Sequence, residues 1–91
     1  MAFVTVEISM RLFDSFSLKD KRSIVKSILK KMHNRYNASL AEVGFQEMIN
    51  QSQLAVAVAS QSRVIAKQTV EMIIRDIENH YEVEIYDLSY D

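Results

Sequence analysis

Two stretches with a helical period of about 3.6 residues, each flanked by segments that alternate with a period of two, restrict this 91-residue chain to very few folds. In the first alternating segment Val4, Val6, Ile8, Met10 and Leu12 fall on one face, and Thr5, Glu7, Ser9 and Arg11 on the other. That pattern predicts a strand with one buried face. Phe13-Asp14-Ser15-Phe16 turns the chain, and Ser17-Leu18-Lys19-Asp20 has the spacing of a capping box, in which the serine accepts a backbone N–H and an acid three residues on answers it. A first helix begins there. Leu18, Val25, Ile28, Leu29, Met32 and Tyr36 form its apolar stripe, with Lys19, Arg22, Lys26, Lys30 and His33 along one side of it.

The second half repeats the scheme. Ala38 to Val43 reads as a short strand ended by Gly44, the only glycine. The connector from Phe45 to Ser52 carries Phe45, Met48 and Ile49, too apolar for a bare solvent loop. Leu54 to Ala59 is a strand with Leu54, Val56 and Val58 on one face and Ala55, Ala57 and Ala59 on the other. A second helix is expected from about Ser62 to about Asn79, with Ala66, Val70, Ile73 and Ile77 inward, Ile65 and Met72 widening that stripe, and Asn79 as a left-handed cap. Glu82 to Leu88 alternates again as a fourth strand. The order β-α-β-β-α-β predicts a single α+β domain over residues 1–91, a ferredoxin-like sandwich with two helices on one face of a four-stranded antiparallel sheet. Its hydrophobic fraction of 48% is sufficient for one core.

The residue inventory argues against chemistry. There are no cysteines, and the two histidines, His33 and His80, fall at the ends of different helices without paired ligands, so neither a metal site nor a cofactor is expected. One glycine cannot form a phosphate-cradling loop. The serines sit where helix capping or strand edges account for them, and Glu82 and Glu84 read as charges guarding an edge strand rather than an acid–base pair. Tyr81, Tyr86 and Tyr90, near strand ends, suit a core margin or an interface. The N-terminus has no secretion-signal pattern and no apolar run reaches the roughly 20 residues that span a bilayer, so a cytoplasmic, non-enzymatic protein without membrane contact is expected.

Charge is distributed unevenly along the chain. From Ser17 to Tyr36 seven basic residues face one acid, Asp20, and from Glu71 to Asp91 seven acids face one base, Arg75. An ordinary solvated helix interleaves Glu with Lys. The first helix does not, which makes Lys19, Lys21, Arg22, Lys26, Lys30 and His33 candidates for contact with the phosphates of an RNA. Lys21 stands out, since its helical position lies toward the apolar stripe and requires its ammonium to extend past the core or to pair locally. On the uncovered sheet face, Phe3, Thr5, Ala55, Ala57 and Ala59 form a flat patch of small residues suited to a homodimer rather than to base stacking on a sheet.

The stretch Ser17-Leu18-Lys19-Asp20-Lys21-Arg22, followed by Ala41-Glu42-Val43, Gln46-Glu47 and the Leu54-to-Val58 strand, resembles the YlxP family of short bacterial domains of unknown function. The resemblance runs from the first strand to Leu88 and departs from the family pattern after Val43, where Gly44-Phe45 stands in place of an acidic residue. It implies a ferredoxin-like fold, a genomic neighbourhood of translation and ribosome-maturation genes, and no known catalytic residues; Lys19, Lys21 and Arg22 are the positions its motif nominates. Three functions follow as expectations: an accessory module touching ribosomal or other structured RNA, a homodimeric interaction domain using the open sheet, and a small-molecule regulatory domain.

Overall fold

The computed structural model describes residues 1–91 and has the expected element order: β1 (Ala2–Leu12), α1 (Leu18–Tyr36), β2 (Ser39–Gly44), β3 (Gln51–Ser60), α2 (Arg63–His80) and β4 (Val83–Tyr90). The strands form one antiparallel sheet in the order β2-β3-β1-β4. This is the ferredoxin-like arrangement. Pairing of β1 with β3 sets Val4 opposite Val58, Val6 opposite Val56 and Ile8 opposite Leu54. All six are buried, so the alternation read from the sequence puts one continuous apolar face under the helices.

Val25, Ile28 and Met32 of α1 and Ala66, Val70, Ile73 and Ile77 of α2 close over that face. Each fully buried aliphatic side chain contributes about 1.5–3 kcal/mol, which makes this layer the main source of stability. No phenylalanine belongs to the core; aliphatic residues and methionine fill it, with Tyr36 and Tyr81 at its margin. No helix is long and apolar enough to cross a membrane.

Both helices start on serine caps. Ser17 Oγ accepts the Asp20 N–H at 3.0 Å, and the Asp20 carboxylate answers by accepting the Phe16 N–H at 3.2 Å. Ser62 Oγ accepts the Ile65 N–H at 3.1 Å. The left-handed cap occurs on α1, at Asn37 with φ 53°, and not at Asn79. Asn79 stays helical because α2 runs on to His80, whose ring bonds the Asp76 carbonyl, and the chain leaves through an extended Tyr81.

Other boundaries also shift. β3 begins at Gln51 because Gln51 and Ser52 already pair with Arg11 and Met10 of β1, which shortens the connector to a tight turn closed by Met48 N–H on the Phe45 carbonyl. Phe45, Met48 and Ile49 are exposed there, against the expectation drawn from their apolar character. Ile65 and Met72 are also about half exposed, since the core beneath α2 is filled by the narrower Ala66–Ile77 stripe.

Candidate functional site

The basic residues of α1 separate into those the fold uses and those it leaves free. Lys21 is fully buried, and its Nζ reaches the Glu42 carboxylate at 2.8 Å and the Phe45 carbonyl at 2.6 Å. Ser52 Oγ donates to the same carboxylate oxygen at 2.6 Å. Lys21 therefore cannot meet an RNA. Its position toward the apolar stripe sends the ammonium under the β2–β3 hairpin, where Glu42 points inward and neutralises it. Its place beside the core was legible in the sequence; Glu42 and Ser52 as partners were not, although Glu42 occupies an inward register next to Leu40.

Lys19, Arg22, Lys26 and Lys30 are exposed, and no carboxylate lies within 4.0 Å of any of them. They recur every three or four residues, so they form a row about 16 Å long at the rise of about 1.5 Å per residue. His33 continues the row; its Nδ1 lies 2.9 Å from the Ala38 carbonyl at the helix end, and the rest of the ring is open to solvent. Lys31 and Arg35 lie on another face, over the Tyr81 ring at 5.6 Å and against Asp76 at 2.6 Å. α1 packs on β2, whereas β4 with Glu84 and Asp87 forms the opposite sheet edge. The two oppositely charged stretches meet where Arg35 of α1 pairs with Asp76 of α2.

A second polar cluster joins the helices. Asp76, 7% exposed, accepts from Arg35 Nη1 and Tyr36 Oη at 2.6 Å each through Oδ2, while His80 Nδ1 lies 2.8 Å from Oδ1. Burial pushes the Asp76 carboxyl up, but the Tyr36 and Arg35 hydrogen bonds, with the charges of Arg35 and His80, outweigh it and hold the group below the ordinary carboxylate range. The bond to Asp76, aided by burial, raises the Tyr36 phenol. Asp76 sits between Ile73 and Ile77, an acid on an apolar stripe. That position was the available signal for this cluster.

The open sheet face holds the other candidates as expected. Thr5, Ala55 and Ala57 are half-buried at its centre, with Phe3 and Ala59 exposed toward one end. Because these side chains are small, shallow hollows form, one of about 440 Å³ lined by Thr5, Glu7, Ala55, Ser89 and Asp91. Toward the other end, Arg11 bonds Glu84 at 2.6 Å and lies over the Tyr86 ring, which leaves that part of the face polar and self-paired.

Comparison with known proteins agrees with this architecture. The family model described as "Protein of unknown function (DUF503)" matches residues 3–90. An uncharacterised protein YlxP of Bacillus subtilis (strain 168) is 32% identical over 73 residues, which cover 80% of this chain and 79% of the relative. Among solved structures, a de novo designed protein with ferredoxin fold superposes with a TM-score of 0.62 at 17% identity, covering 100% of this chain and 84% of its own. The de novo designed protein Foldit4 gives 0.59 at 19% identity, with 99% and 97% covered. At such identities the designs speak for the fold alone. The family match and the YlxP relative bear out the family resemblance: the chain belongs to the DUF503 family of proteins of unknown function.

Proposed function

We propose that the protein is a non-enzymatic binding module that holds structured RNA, ribosomal RNA in particular, against the outer row of α1. The supporting observation is the sorting of cations on that helix. Lys21 and Arg35 are consumed by Glu42 and Asp76, and Lys19, Arg22, Lys26 and Lys30 have no internal partner. Desolvation and side-chain ordering make exposed ion pairs weak, so a row of unpaired cations adds little to folding and is available to polyanions. RNA duplex is contacted through backbone and shape, which suits lysines on a helix better than a base-reading sheet lined with alanine.

Titration of an RNA hairpin at several salt concentrations tests the reading. A row engaging about four phosphates predicts a log–log slope of roughly 3 to 4, and affinity should collapse when Lys19, Arg22, Lys26 and Lys30 are all changed to Gln in a protein that still folds. Binding indifferent to salt, or retained by that variant, would contradict it.

The small residues at the centre of the open face favour a second reading, in which a second copy packs there face to face. Ala57→Arg would then convert a dimer into a monomer in sedimentation. A monomer at high concentration before substitution would remove the idea.

A further inference from the structure

The cation row on α1 ends on a residue of different chemistry. His33 follows Lys30 by three positions and Lys26 by seven, which keeps it on the same edge of the helix. Asn37, with its left-handed backbone, turns the chain back over the helix end, so that Ala38 is buried and its carbonyl comes to 2.9 Å from His33 Nδ1. The Asn37 N–H meanwhile bonds the His33 carbonyl at 2.9 Å. His33 is fastened through both its backbone and its ring.

A carbonyl oxygen only accepts, so Nδ1 carries the proton of the bond to Ala38. In a neutral imidazole that leaves Nε2 as a bare lone-pair acceptor. The two ring nitrogens diverge, so with Nδ1 turned to Ala38 the Nε2 lone pair points away from that carbonyl, on an exposed residue, and no group of the chain bonds it. Closing the helix end accounts for Nδ1 and leaves Nε2 unused. His80 makes the contrast: its Nδ1 lies 2.8 Å from the Asp76 carboxylate, an internal partner, whereas the one acid of α1, Asp20, is at the far end of the helix from His33.

Resting on the RNA reading above, we infer that His33 reads the sugar: its Nε2 accepts a hydrogen bond from a ribose 2′-hydroxyl of an RNA duplex whose phosphates lie along Arg22, Lys26 and Lys30. A lone pair repels phosphate oxygens and accepts from a hydroxyl, and within the sugar–phosphate backbone the 2′-hydroxyl is the group that can donate. The minor groove of an A-form helix is wide and shallow and displays those hydroxyls, so long lysine stems can reach phosphates while the shorter imidazole meets a sugar. Four cations alone hold RNA and DNA by the same phosphates. His33 gives the row a means of preferring RNA.

The test compares an RNA hairpin with its 2′-fluoro counterpart, which keeps the A-form helix and every phosphate and loses the hydroxyl donor. Fluorescence anisotropy at fixed salt and mildly alkaline pH, which favours a neutral imidazole, should show the hydroxyl form bound about fivefold more tightly, the scale of one net hydrogen bond. His33→Ala should remove that preference and leave the affinity for the fluoro hairpin unchanged. His33→Lys, suited to a helix C-terminus, should tighten binding to both hairpins equally, which separates the acceptor from mere charge and guards against fraying in the alanine variant. Equal affinity of the unsubstituted protein for the two hairpins, or a preference that survives both substitutions, overturns the role of His33 alone. Failure to bind either hairpin overturns it together with the RNA reading.

Discussion

Glu42→Ala is expected to destabilise the protein by about 3–5 kcal/mol in urea unfolding. The alanine would strand the Lys21 ammonium, fully buried, with the Phe45 carbonyl as its remaining partner, and would leave Ser52 Oγ without an acceptor. Much of the cost is that of an uncompensated charge rather than the intrinsic worth of the pair. Replacing both members, Lys21→Met with Glu42→Leu, should therefore recover most of the loss. If Glu42→Ala and the double variant unfold at the same urea concentration, the pair is not desolvated as described.

Asp76→Ala is expected to cost about 2 kcal/mol, because it removes the acceptor shared by Arg35 and Tyr36 and unties α1 from α2. Acid should act in the same direction. The folded-state carboxyl titrates below its unfolded value of 3.8, so its contribution is complete above about pH 4 and is lost as pH falls through the lower folded value. Tyr36 behaves conversely: its folded phenol titrates above the ordinary 10.0, so its share is present below about pH 10 and disappears as pH rises through the raised value. The wild-type stability curve should decline at both extremes, and Asp76→Asn should flatten the acid limb. An unaltered acid limb in that variant would assign the acid sensitivity to other carboxylates.

Most of the fold was legible because β1 and β3 alternate without a break and both helices carry a regular inner stripe. What failed were features decided by contacts distant in sequence. Pairing with β1 draws Gln51 and Ser52 into a strand that composition alone began at Leu54. Phe45, Met48 and Ile49 are apolar enough to suggest burial, yet at the turn between β2 and β3 there is nothing to bury them against. In the candidate site, Lys19, Arg22, Lys26, Lys30 and His33 lie where periodicity placed them. Lys21 differs, since a lysine inside the stripe either extends outward or finds a partner. The choice was made by Glu42, twenty-one positions away.

The free cation row is central, and mapping RNA contacts by NMR tests it most directly. On titration of an RNA hairpin into isotopically labelled protein, backbone amide shifts should concentrate on α1 from Lys19 to His33, leaving the face over Asp76 and Tyr81 quiet. Shifts confined to the open sheet around Ala55 and Ala57, or none at RNA concentrations that saturate known binders, would contradict the account.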